Sequence, residues 1–176
     1  MEYLLFFKGK FYIFSSLINK KAKKFQLFVE TLNTNSLQPN ADKKKVTEFD
    51  YTQQTLNDIY TVNLFNFKVS QDSSKILIYF PIKKKKAKDE KFAKKTIGVQ
   101  VLDENMTPLW YREITFPYDK DLVDDIHCDV DNSGNVFIVK RVYNEKKRNL
   151  KDGKQNFTHE GLQHFLITVI KKRNTL

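Results

Sequence analysis

Cysteine is almost missing from this chain of 176 residues: Cys128 is the single one. An internal disulfide framework is therefore excluded, and the lone thiol fits a reducing compartment. Glycine is scarce, at five residues, and none of it forms a Gly-rich phosphate loop. No apolar run approaches the roughly 20 residues that a membrane-spanning helix needs. The first fourteen residues are apolar, but Lys8 and Lys10 interrupt them. That stretch has no basic leading region and no small-residue cleavage site, so no signal peptide is expected. Neither a G-x-S-x-G motif nor a Ser/His/Asp order stands out, and the sequence implies no cofactor.

Aromatic residues are plentiful. Fifteen Phe and eight Tyr accompany an apolar fraction of 40%, enough for one domain with a sizeable core. Aromatic and β-branched side chains favour strands. Positive charge is also in excess, at 31 Lys and Arg against 21 Asp and Glu, for a net charge of +10. The lysines concentrate between the apolar runs, near residues 20–24, 43–45, 83–95, 146–154 and 171–173. Charge runs in such places read first as solvated loops.

Three hairpin patterns organise the chain. Residues 66–80 read as a strand, a tight polar turn and a second strand; residues 126–139 repeat this, and residues 4–14 repeat it more loosely. Further strands are expected at 25–32, 43–49, 96–102, 107–116 and 165–170, for ten to twelve in all. Residues 50–61 read as a helical turn or a loop, 117–125 as an acidic loop and 144–162 as a long polar loop. Ile76 and Val136 lie 60 positions apart, so the order of strands and turns reads as an internal repeat. The whole chain, 1–176, is read as one region with repeats near 1–50, 62–117 and 126–176.

Both faces of the central strands are apolar. Ile76, Ile78 and Phe80 share one face with Leu77 and Tyr79 on the other, and Val136 and Ile138 alternate with Phe137 and Val139. Strands with one wet face would alternate apolar and polar, so both faces are expected to be buried. Four-stranded antiparallel sheets stacked face to face meet that requirement, and such stacking around an axis is a β-propeller.

The turns carry a resemblance. Val69-Ser-Gln-Asp-Ser-Ser-Lys-Ile76 and Val130-Asp-Asn-Ser-Gly-Asn-Val136 resemble the first hairpin of divergent bacterial propeller repeats of the TolB and WD-repeat-like kind. The Gly-His and Trp-Asp dipeptides of true WD repeats are absent. The resemblance implies an all-β fold, with antiparallel four-stranded blades of a partial β-propeller. It also implies a non-catalytic binding or scaffold role, because propellers present loops and a channel to partners. Two and a half to three blades are fewer than a closed propeller has. The expected partner is another protein, or the missing blades of a longer protein. Assembly of copies and a plain open sheet or sandwich are the alternatives.

Three groups of residues invite chemistry. Asp129, Asp131 and Ser133 place oxygens at alternate positions before Gly134, like the opening of a calcium loop. Lys140 stands where such a loop needs a bidentate acid, so the stretch reads first as an Asx-rich turn. Lys83, Lys84, Lys85, Lys86 and Lys88, with Phe92 nearby, form the one candidate for polyanion contact. A basic nucleic-acid-associated protein is accordingly the alternative function. Asp119, Asp121, Asp124 and Asp125 cluster beside His127, and a pocket holding two or more of Asp124, Asp125 and His127 would make a hydrolase the third reading. His127, Cys128, His159 and His164 lack the short spacing of a zinc site.

Overall fold

Runs such as Lys-Ile-Leu-Ile-Tyr-Phe-Pro-Ile and Lys-Lys-Thr-Ile-Gly-Val-Gln-Val-Leu-Asp are rich in β-branched and aromatic residues, and they form extended backbone. The computed structural model describes residues 3–50, 64–82, 91–143, 147–151, 154–158 and 163–171. Fourteen strands run through them: β1 (Tyr3–Phe7), β2 (Lys10–Asn19), β3 (Lys24–Asn33), β4 (Gln38–Pro39), β5 (Lys44–Asp50), β6 (Asn66–Val69) and β7 (Lys75–Ile82), then β8 (Lys94–Asp103), β9 (Pro108–Asp119), β10 (Val123–Val130), β11 (Val136–Tyr143), β12 (Lys147–Lys151), β13 (Lys154–Thr158) and β14 (Gln163–Ile170). The fold is all-β, and every strand pairing is antiparallel.

Three sheets succeed one another along the chain. The first runs β1-β2-β3, with β4 and β5 both paired to β3. The second is the meander β6-β7-β8-β9, and the third has the order β10-β11-β14. A separate two-stranded hairpin, β12-β13, lies between β11 and β14 in sequence.

The middle sheet explains the apolar pattern of its own strands. Ile76, Ile78, Phe80 and Ile82 of β7 point into a core shared with Phe14, Phe25, Leu27 and Phe49 of the first sheet. Leu77, with Val99 and Val101 of β8, points the other way, into a core shared with Cys128, Val136 and Ile138 of the third sheet. The second sheet is thus covered on both sides. Aromatic rings bridge the first interface: Tyr3 stacks on Phe67 at 4.3 Å, and Phe49 on Phe80 at 4.5 Å. The second interface holds a buried cation. Lys140, only 4% exposed, has its ammonium 4.0 Å from the Phe116 ring centre and 5.5 Å from that of Tyr118. Burial pushes its pKa down.

Several expectations need correction. Residues 144–162 are not one long loop, since β12 and β13 pair there. Residues 117–125 are not an acidic loop either. They are the end of β9, a single 3-10 turn (Lys120–Leu122) closed by Asp119 accepting the Asp121 N–H, and the start of β10. Burial on both faces also fails for β11, where Phe137 is 38% exposed. No fourth sheet among the described residues covers that side. The residues 51–61 of the stretch read as a helical turn or loop lie outside the described residues.

Candidate functional site

Three turns at one end of the second and third sheets share a single construction. In each, the first side chain accepts two backbone N–H groups, which otherwise would face solvent or one another. Ser70 Oγ accepts from Ser74 and Lys75 at 3.1 and 2.9 Å. Asp103 Oδ1 accepts from Asn105 and Thr107 at 2.9 and 2.8 Å. Asp131 Oδ1 accepts from Ser133 and Asn135 at 2.9 and 2.8 Å. The fourth position of each turn adopts positive φ: Ser73 at 55°, Met106 at 61° and Gly134 at 84°. At that position Gly134 fits without cost, whereas Ser73 and Met106 tolerate a left-handed conformation that side chains disfavour.

Two of these turns touch across the second interface. The Asp72 N–H donates to Asn132 Oδ1 at 3.2 Å, and the Ser74 hydroxyl donates to the Asn132 carbonyl at 3.4 Å. Trp110 on β9 donates its indole N–H to the Gly134 carbonyl at 3.1 Å. Between the turns lies an open groove of about 680 Å³, lined by Val69, Gln71, Asp129, Val130, Asp131, Asn132, Ser133 and Phe137. Amide and carboxylate groups beside an exposed Phe ring suit a contact surface better than an enclosed reaction chamber. Two smaller clefts lie along the first sheet, the first of them against the β8-β9 turn of the second sheet. One, of about 190 Å³, includes Tyr12, Asp42 and Met106; the other, of about 430 Å³, includes Phe11, Asn33 and Asn40.

The structure brings Asp129, Asp131 and Ser133 together in the groove. Three of their carboxylate oxygens accept hydrogen bonds within the chain, both of Asp131 in its own turn. Asp129 Oδ1 accepts the Val130 N–H at 2.8 Å, and Asp131 Oδ2 accepts the Asn135 side-chain amide at 2.8 Å. Calcium takes six to eight oxygens, and no group of three His, Cys, Asp or Glu suited to a metal occurs among the described residues.

Asp124 and Asp125 both lie beside Arg141, with Asp124 opposite it across the β10-β11 pair. Asp125 sits at a bulge in β10 with φ 45° and pairs with Arg141 at 2.8 Å. Asp124 and His127 are exposed, and neither lines the groove or the two clefts. Cys128 is buried behind them, and burial, with Asp129 nearby, pushes its thiol up to about 12. It stays protonated at neutral pH and is a weak nucleophile. Lys83, Lys84, Lys85, Lys86 and Lys88 lie outside the described residues, as does His159. Gln71, Asn132 and Phe137 were not singled out from the sequence. The pairing of two similar turns was a usable signal for the first two.

Burial alone would raise the Asp131 pKa, but hydrogen bonds from Asn135, Ser133 and Gly134 outweigh it and hold the carboxyl below its usual 3.8. A depressed folded pKa means that the contribution is complete above the unfolded value and fades as pH falls through the folded one. Asp131→Ala is therefore expected to cost about 1–2 kcal/mol at pH 7, and less at pH 2. Asp131→Asn keeps the accepting oxygen and should lose less than Ala at pH 7. Urea unfolding at the two pH values checks both. An Ala penalty that does not shrink in acid would refute the turn's reliance on the carboxylate.

No family model, curated protein or solved structure matches the chain. Among the described residues no helix is long and apolar enough to cross a membrane. The class that the geometry defines is an all-β protein of antiparallel sheets stacked in chain order.

Proposed function

We propose that the chain is a non-catalytic, β-propeller-like binding or scaffold module. One observation carries this reading. The second sheet is buried on both faces between two other sheets that precede and follow it in the chain, which is how propeller blades pack. The turn-end groove, with Gln71, Asn132 and Phe137, is the surface offered to a partner. Further blades or another protein cover the outward faces of the first and third sheets. Those faces hold Leu4, Phe6 and Leu17 at one end of the stack and Phe137, Ile167 and Val169 at the other, all of them exposed.

The test is the double variant Phe6→Lys/Ile167→Glu, followed by far-ultraviolet circular dichroism and thermal unfolding. If the outward faces are docking surfaces, the variant remains strand-rich and unfolds cooperatively, because exposed sites tolerate charge at about 0.5 kcal/mol each. If those faces were covered by the chain's own residues, two buried charges would prevent folding, and the blade reading would fall.

A further inference from the structure

At one end of the first sheet-on-sheet interface, the β8-β9 turn lies against the strands of the first sheet. Alternation along those strands decides what meets it. Lys10 and Tyr12 of β2 share the face of Phe14, and Val29 and Thr31 of β3 share the face of Leu27. Tyr12 stands opposite Thr31, and Lys44 of β5 stands opposite Val29. Together with Glu30, Asp42, Asn105 and Met106 they line the cleft of about 190 Å³. The ion pair of Lys8 with Glu104 ties the β1-β2 turn to the β8-β9 turn beside it.

Four charged side chains line this cleft, two of each sign, and they are not equally committed. Asp42 accepts the Thr31 N–H at 3.1 Å and the Thr31 hydroxyl at 2.9 Å. Burial alone would raise its pKa, but those hydrogen bonds, that of its own N–H and the nearby Lys44 charge outweigh it and keep the carboxyl ionised at neutral pH. Glu30 lies 3.8 Å from the Lys43 ammonium, which offsets its charge. Lys10 and Lys44, by contrast, make no ion pair among the described residues. The Tyr12 hydroxyl and the Asn105 side-chain amide make no hydrogen bond among them. Burial, with Asp42 nearby, pushes the Tyr12 pKa up, so its hydroxyl is a donor at neutral pH. The cleft therefore sets an ionised carboxylate close to donors that the chain leaves unused.

We propose that this cleft binds a free α-amino acid with an aliphatic side chain. Lys10, Lys44 and the Tyr12 hydroxyl take its carboxylate, Asp42 takes its ammonium, and the buried Val29 and Met106 meet its side chain. Charge favours a zwitterion over either simple ion: an anion alone would face Asp42, and a cation alone would face two lysines. An ionised carboxylate has about four acceptor positions. Thr31 and the Asp42 N–H use three of them, which leaves one for the ammonium. Size agrees, since the cleft is smaller than the roughly 300–1,000 Å³ of sites for drug-sized molecules. The site is distinct from the turn-end groove and does not depend on the blade reading.

The test is equilibrium dialysis of the whole chain against labelled L-leucine, with unlabelled competitors. L-leucine should bind saturably, one per chain. Isocaproate, which lacks the ammonium, and L-leucine amide, which lacks the carboxylate, should each compete at least about 10-fold less well, because each leaves charged groups of the cleft unpaired. Lys10→Met/Lys44→Met should weaken binding about 10-fold or more. Both lysines are exposed, so this variant keeps its fold. Lys20→Met/Lys21→Met removes the same charge from the β2-β3 turn, at the other end of the first sheet, and should leave binding unchanged. Three outcomes would each overturn the proposal: no saturable binding, an analogue that competes as well as L-leucine, or a loss in Lys10→Met/Lys44→Met no greater than in Lys20→Met/Lys21→Met.

Discussion

Phe80→Ala is expected to lower the free energy of unfolding by about 3–5 kcal/mol, a large share of the 5–15 kcal/mol that holds a typical domain together. The Phe80 side chain has no solvent exposure. Its ring stacks on Phe49 at 4.5 Å, meets Phe65 edge-on at 5.1 Å and lies 6.4 Å from Tyr111. Phe49 belongs to β5 of the first sheet and Tyr111 to β9 of the second, so the ring ties one sheet to the other. Truncation leaves a void lined by rigid rings that cannot collapse into it, which puts the cost at the upper part of the large-to-small range. Urea denaturation at one fixed protein concentration measures it. A loss under about 1 kcal/mol would show that the first two sheets do not depend on this contact.

The same residues show what was legible in the sequence. Ile76, Ile78 and Phe80 alternating with Leu77 and Tyr79 spelled a strand apolar on both sides, and the second sheet is covered on both sides. Side-chain oxygens at Ser70, Asp103 and Asp131 announced tight turns, because such groups bond the nearby backbone wherever they stand. Phe137 shows where that reasoning stops. Its pattern matches that of Leu77, but a sequence does not say whether the apolar face is covered by the same chain or by something else. The hairpin β12-β13 was missed for a different reason. Lys147–Lys151 and Lys154–Thr158 are polar nearly throughout, so they lack the period-2 alternation by which a strand is read. The groove was legible only in part. Asp129, Asp131 and Ser133 stood out by type, whereas Gln71 and Asn132 reach it because two turns separated by about 60 positions stack in space.

Gly98→Ala should be nearly as damaging as the loss of Phe80, and the two changes should partly cancel. Gly98 stands directly opposite Phe80 across the β7-β8 pair. A Cβ added there would lie 2.5 Å from Phe80 Cε2, 2.6 Å from its Cζ and 3.1 Å from Ile82 Cδ1. The ring therefore occupies the space that any other residue would need. It cannot swing aside, because Phe49 and Phe65 pack against it. Overpacking of this kind costs about 1–3 kcal/mol, and the held ring puts Gly98→Ala near the upper end. In a Phe80→Ala background the obstacle is gone, and the added methyl enters the void and restrains the unfolded chain. There Gly98→Ala should be neutral or should stabilise by up to about 1 kcal/mol. The double-mutant cycle then yields a coupling of about 2–4 kcal/mol of the compensating sign. Equal penalties in both backgrounds would mean that Gly98 is required by the backbone itself, and not by the aromatic ring that crosses it.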